Sequence, residues 1–385
     1  MPARAFARFL SSQYFGSGLL LLATALALVI ANCPVGAIYH EILHGDIGFA
    51  AGSVSVHMSL AHWINEGLMV LFFLVVGLEI KREFLHGELS RASKAFLPVI
   101  CAAGGVIVPA LIFMLINRAE PDHWRGWAIP TATDIAFALG LLALGGRIPL
   151  ALKVFLAALA IIDDLIAILI IALFYGGPIH IDPFLFAAGI MFCLFALNLM
   201  RITQLWPYLM LGLVLWVAVL QSGLSPTLAG VLLAIMIPVG DRRDISPLHR
   251  LEDALQPLCA YFIMPIFAFA NAGLSLKGIS LADFFAPLTL GIILALFFGK
   301  QAGIFLAGLA AARMKWAKLP EGASLLQLYG VAVLAGVGFT MSLFLGTLAF
   351  PDEALWNQAR LGVICGSLLS AVVGITLLRF AKPTR

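Results

Sequence analysis

Runs of about 20 apolar residues, each closed by proline, glycine or a charged residue, recur from one end of the chain to the other. They predict spans near 11–31, 59–80, 96–117, 124–143, 150–175, 184–200, 205–220, 224–239, 254–274, 287–312, 327–349 and 356–380. The fold class expected is an all-α polytopic membrane protein of about 12 transmembrane helices, forming one transmembrane domain over 1–385. One connection departs from this period. Residues 45–58, GDIGFAAGSVSVHM, place turn formers at the centre and a short alternation at Val54-Ser55-Val56, as in a small exposed β-hairpin or an irregular loop. A hairpin edge there would suit strand pairing between two copies of the chain.

Composition excludes a soluble globular protein: of 385 residues 62% are hydrophobic and only 11% charged, with a mean hydropathy of +1.05. The net charge of +3 implies no nucleic-acid partner, because the basic residues sit at helix ends and form no patch. Their placement gives an orientation instead. Arg4, Arg8, Lys81, Arg82, Arg91, Lys94, Arg147, Lys153, Arg201, Arg242, Arg243, Arg250, Arg313, Lys315, Lys318, Arg379, Lys382 and Arg385 all fall on one side. Only Arg118, Arg125, Lys277 and Arg360 fall on the other. The positive-inside rule then makes the number of spans even and both termini cytoplasmic. The first apolar run follows two arginines, as in a signal peptide, but it is too long and no A-x-A site follows, so it is expected to remain as a helix. Cys33, Cys101, Cys193, Cys259 and Cys365 are scattered, with no close pair of the kind that binds zinc, and are expected to be small core residues.

Four charges fall near the middle of apolar runs where nothing at a helix end accounts for them. Asp163 and Asp164 stand side by side in Val154 to Tyr175, which has no other charge. Asp134 lies in Trp124 to Ala143, just after Thr131 and Thr133 and a preceding Pro130 that predicts local unwinding and freed carbonyls suited to a hard cation. Lys300 is the one charge in the middle of Pro287 to Ala312, and Gly336-Val337-Gly338-Phe339-Thr340 predicts a second broken helix. Left isolated in lipid, these four groups would cost on the order of 10 kcal/mol, so they must meet one another. A buried salt-bridge cluster that only joins helices is the plain alternative, but three carboxylates against one lysine lack positive charge, which a cation or protons would supply. Successive helical residues point about 100° apart, so one aspartate of the pair should face the ion path and the other a neighbouring helix. Glu66 falls within the second span, while Glu79, Lys81, Arg82 and Glu83 close it and Glu252 and Asp253 open the ninth. Such runs are usually solvated helix ends, but Glu79 sits inside the apolar edge, where a pH-sensitive carboxylate fits.

Seven segments together resemble the NhaA family of sodium/proton antiporters over nearly the whole chain: WINEGLM at 63–69, GLEIKRE at 77–83, GWAIPTATDIAFALG at 126–140, LAALAIIDDLIAI from Leu156, FAFANAG at 267–273, GKQAG at 299–303 and GVGFTMS at 336–342. The resemblance implies inverted repeats of spans 3–5 and 10–12, with spans 4 and 11 broken and crossing. It further implies an ion site of Asp163 and Asp164, with Asp164 as direct Na⁺ ligand. Asp134 and Thr133 would lie at the crossing, Lys300 would be the counter-charge, and Glu79, Glu83 and Glu252 would form a pH-sensing cluster. Glu66 takes the place of an aspartate, and Ser225, Asp253 and Gln256 replace histidines of the best-known pattern. The hairpin at 45–58 matches the location of the family's homodimer contact.

The function expected is therefore electrogenic exchange of sodium, and lithium, for protons by alternating access in a bacterial inner membrane. Membrane lipids surround the chain, no enzymatic activity is expected, and no cofactor beyond the transported Na⁺, Li⁺ and H⁺. A sodium-coupled solute symporter on a similar inverted-repeat scaffold is the alternative within transport. An intramembrane aspartyl protease needs its two carboxylates on different helices, whereas here they are adjacent on one.

Overall fold

A computed structural model describes residues 2–51, 54–146, 148–240 and 246–382, with side chains from residue 15 onward except those of 49–56. Arg147, Arg242, Arg243 and Arg385, the side chains of Arg4 and Arg8, and the hairpin tip at 52–53 lie outside the described residues. The chain begins with α1 (Pro2–Asn32), α2 (Gly36–His44), β1 (Asp46–Ala51), β2 (Val54–Ser59), α3 (Leu60–His86) and α4 (Ala92–Ile116). A 3-10 segment (Pro121–Thr131) leads to α5 (Ile135–Leu144), followed by α6 (Leu150–Phe174), α7 (Ile181–Leu199), α8 (Trp206–Ser222), α9 (Leu228–Met236) and α10 (Pro247–Ala272). The remainder forms α11 (Leu281–Phe284), α12 (Pro287–Arg313), α13 (Leu325–Leu334), α14 (Phe339–Ala349) and α15 (Glu353–Phe380).

The protein is an all-α polytopic membrane protein. Among the described residues, nine helical stretches are long and apolar enough to cross a bilayer, with α13 and α14 taken as one, and the 3-10 segment with α5, bent by 50°, makes a tenth. The helix α8 is shorter, and α9 has only nine residues. Pro238 explains the early end of α9: it has no N–H to give to the carbonyl four residues back, so the helix cannot run on to 239. Many large apolar side chains, such as Leu173, Phe192 and Leu213, are exposed along these helices, as a lipid-facing surface requires.

Two features lie in the connection between α1 and α3. Between α1 and the strands the chain forms α2, which buries Tyr39 and Leu43, and the periodic reading passed over it because nine residues are too short to register as a span. The strands then pair antiparallel, with Asp46 opposite Ser59 and Ala51 opposite Val54. The cysteines are not all core residues. All five are free, but only Cys101 and Cys259 are buried, while Cys193 is exposed on α7, because a thiol is apolar enough to face lipid as readily as a neighbouring helix.

The chain divides into two compact units, each assembled from separated segments. The first comprises 1–18, 86–167 and 274–385. It holds α4, the 3-10 segment, α5 and most of α6, and then α12 to α15, so a long helix, a broken helix and a long helix occur twice. Within it α4 and α12 approach so closely that a Cβ on Gly104 or Gly303 would strike the other's backbone. The second unit comprises 19–85 and 168–273. Its core joins α3, α7, α8, α9 and α10 through Leu78, Leu194, Tyr208, Leu215, Leu233 and Leu251.

Candidate functional site

The first unit contains both helix breaks, and each supplies the hydrogen-bonding groups that the other lacks. Between the 3-10 segment and α5 the chain is extended at Ala132, and between α13 and α14 it opens over 335–338. The Asp134 N–H donates to Val337 O at 2.8 Å, Ser342 Oγ donates to Ile129 O at 2.6 Å, and the Thr133 hydroxyl lies 2.9 Å from Ala335 O. The freed carbonyls of Ile129, Ala335 and Val337 thus take donors from the opposite break. The sequence led us to expect such carbonyls to face a cation, but a break in an apolar medium must first be satisfied by protein. Glycine at 338 is required by space rather than by torsion: a Cβ there would come 2.9 Å from Ala132 O.

Asp134 sits at the first residues of two half-helices. Its side chain is the N-cap of α5, accepting from Phe137 N–H at 3.0 Å through Oδ1. Through Oδ2 it accepts the Thr340 N–H of α14 at 3.2 Å and the Thr340 hydroxyl. A helix start carries unsatisfied N–H groups and roughly half a positive charge, so one carboxylate here compensates two of them. Asp134 is 1% exposed, and Thr340 is fully buried.

Asp163 lies on α6 and faces α12. Lys300 Nζ donates to its Oδ2 at 2.6 Å, and both side chains have no exposed surface. Thr133 Oγ1 is also 2.6 Å from the same oxygen. That hydroxyl has a single proton for two acceptors, Asp163 Oδ2 and Ala335 O, so the charge on Asp163 bears on how the second break is tied. Asp163 Oδ1 is buried and accepts no hydrogen bond from the protein. Asp164, 2% exposed, points elsewhere, as the 100° step along a helix demands. Lys300 reaches this depth from a π-helical turn over Ala295–Gly299, and its stem passes Gly105 of α4, whose Cβ would lie 3.7 Å from Lys300 Cδ.

The first unit therefore brings together Asp134, Thr133, Asp163 and Lys300 with Asp164 beside them. Glu79, Glu83 and Glu252 belong to the second unit, where they surround one guanidinium. Arg82 Nη1 is 2.7 Å from Glu252 Oε1, and Nη2 is 3.1 Å from Glu83 and 3.6 Å from Glu79. Ser225 is buried against Thr227 Oγ1 at 2.7 Å, Asp253 is exposed and Gln256 half-buried. Glu66 is buried in the π-helical turn Trp63–Leu68, with Oε2 lacking a hydrogen-bond partner. Thr340 and Ser342 join the site with no part assigned to them from the sequence, and no capping signal marks them, because Gly338 is the N-cap of α14 and their hydroxyls instead donate across to Asp134 and Ile129 O.

Buried carboxylates and an ammonium beside two broken membrane helices that hydrogen-bond to each other define a secondary ion transporter. The model of the family described as Na+/H+ antiporter 1 matches residues 7–378, and the chain belongs to that family. It is 50% identical to the Na(+)/H(+) antiporter NhaA of Bordetella parapertussis over 97% of this chain and 96% of the relative. To the Na(+)/H(+) antiporter NhaA of Caulobacter vibrioides it is 52% identical, over 95% and 88%. A solved sodium proton antiporter from Methanocaldococcus jannaschii has the same fold, with a TM-score of 0.56 and 14% identity over 98% of this chain and 97% of that one.

Proposed function

We propose that this chain is an electrogenic Na⁺/H⁺ antiporter that expels Na⁺, and Li⁺, from a bacterial cell in exchange for a larger number of protons. The observation that carries this reading is the fully buried Asp163, tied to Lys300 and Thr133 through one oxygen and open at the other, beside the buried Asp164. Asp164 is the direct cation ligand, Asp163 shares the site with Lys300 as standing counter-charge, and Asp134 with Thr133 holds the two breaks in place. A carboxylate that holds a proton cannot hold Na⁺, so each cation that binds expels protons, and exposing the pair to one side and then the other turns competition into exchange. The relatives are antiporters, which leaves a sodium-coupled solute symporter without support.

The same proposal places the chain in the inner membrane with twelve spans and both termini cytoplasmic, α9 counting as part of the eighth. Spans 3–5 and 10–12 are inverted repeats, and the β1–β2 edge pairs two copies into a homodimer. Glu79, Glu83 and Glu252 around Arg82 set the pH at which exchange begins, and Ser225, Asp253 and Gln256 tune it differently from a histidine-bearing cluster. Proton flux in everted membrane vesicles, followed with a pH-sensitive dye, tests the central assignment. Na⁺ and Li⁺ dequench the dye in vesicles of the native protein, and Asp164→Asn abolishes the response while the protein remains folded. An undiminished Na⁺ response in Asp164→Asn overturns the proposal.

A further inference from the structure

The end of α9 has a peculiarity that the ion site does not explain. Pro238 leaves the Ala234 carbonyl without its helical N–H, and the helix stops at Met236, so the last carbonyls need other donors. All of these oxygens are taken up by two side chains. Lys81 Nζ lies 2.6 Å from Ile235 O, 2.5 Å from Ile237 O and 3.5 Å from Ala234 O, and Asn198 Nδ2 donates to Met236 O at 2.6 Å. An ammonium has three protons and no acceptor, so Lys81 is fully engaged as a helix cap. Its neighbour Arg82 points about a third of a turn away, to Glu252 of α10 and to Glu79 and Glu83 of its own helix. The last turns of α3 are thus fixed from two directions by adjacent cations.

We propose that Lys81 is the positioning residue of the Arg82 cluster: by capping α9 it holds α3 in the register that sets Arg82 among Glu79, Glu83 and Glu252. This rests on the reading of those carboxylates as the pH-sensing group. The charged and titratable groups involved are Glu79, Arg82 and Glu83 on α3 and Glu252 on α10, with His249, Arg250 and Asp253 on the same helix; α9 carries none, and α7 carries Asp182 at its far end and the exposed thiol of Cys193. Asn198 caps the same helix end without charge and without a link to α3, and so serves as the internal control.

The test is Na⁺-driven proton flux of the full-length protein in proteoliposomes across a pH series, beside its thermal stability. Lys81→Met lowers stability and moves the half-activation pH upward by roughly one unit, a ten-fold change in proton affinity, since the cluster loses a neighbouring positive charge and its fixed register. Lys81→Arg restores the profile, and Asn198→Ala lowers stability but leaves the profile in place. A Lys81→Met profile that coincides with the native one overturns the proposal, as does an equal displacement in Asn198→Ala. If Lys81→Met cannot be purified, Lys81→Gln decides instead: it still donates to the carbonyls, so its profile stays near the native one, and a displacement as large as that expected of Lys81→Met overturns the proposal. Glu252→Gln in the same series separates the two readings. If it moves the profile while Lys81→Met does not, only the positioning role fails; if it leaves the profile in place, the pH-sensing assignment itself fails.

Discussion

Two clusters in this chain gather more carboxylates than cations, and they differ in how water reaches them. Around Lys300 the paired side chains have no exposed surface, whereas the Arg82 side chain is 23% exposed and its partners' side chains 3% to 19%. In the first, every change of charge must be compensated by protein or by an incoming ion, because no solvent is at hand. In the second, partial hydration lets the balance of charge follow the surrounding solution. The same excess of acid over base therefore makes a site that must exchange one charge for another in the first case. In the second it makes a group that can register pH, and depth in the fold decides between them.

The comparison breaks most readily at Lys300. Lys300→Ala leaves Asp163 buried with Thr133 as its remaining donor, and loss of one partner of a buried pair typically costs about 3–5 kcal/mol. The expected result is the largest fall in thermal stability among the charge variants, together with reduced exchange. Adding Asp163→Asn recovers part of the stability, since an amide is less costly to bury than an unpaired charge. Thermal unfolding of the purified single and double variants in detergent measures both effects. If Lys300→Ala is as stable as the native protein, water already reaches the pair and the two clusters do not differ in the way described.

Much of this contrast is visible in the residues themselves, and much is not. Asp163, Asp164, Asp134 and Lys300 announce themselves because a charge within an apolar run is conspicuous, and Gly336 and Gly338 mark the second break because closely spaced glycines interrupt a helical run. What lies beyond the pattern is pairing across long stretches of chain. Asp134 meets Thr340 over 206 positions and Asp163 meets Lys300 over 137, and no periodicity encodes which oxygen accepts from which donor. The freed carbonyls are the clearest case. Pro130 and the glycines predict that they exist, but only the fold reveals that each break satisfies the other. In the second unit Lys81 reads as one more basic residue at a helix end, and its engagement with α9 follows from a proline 157 positions away, too remote for any local signal.

A smaller effect sharpens the contrast from the other side. Arg82→Gln removes the one cation shared by Glu79, Glu83 and Glu252, and partial exposure limits the cost to roughly 1–2 kcal/mol. Its main consequence is a displaced pH profile. Salt discriminates between the clusters: raising the ionic strength to about 1 M shortens the screening length to about 3 Å, which weakens the Arg82 effect and leaves that of Lys300 unchanged. Unfolding of both variants at low and high salt makes the comparison, and equal salt sensitivity would contradict the difference in depth.

The scale ends at a pair exposed on both sides. Lys94 Nζ lies 2.9 Å from Glu88 Oε2, but the two side chains are 51% and 46% exposed. Its short distance is no guide to its strength, because water screens the attraction and both long side chains lose freedom to form it. Glu88→Gln is expected to change stability by less than about 0.5 kcal/mol and to leave the pH profile of exchange in place. Unfolding and flux measured on the same preparation check both parts. Distances of 2.6, 2.7 and 2.9 Å at Lys300, Arg82 and Lys94 differ too little to account for the ordering. If the three variants nevertheless rank in that order, burial is what separates them; if Glu88→Gln costs as much as Arg82→Gln, ion-pair geometry outweighs it.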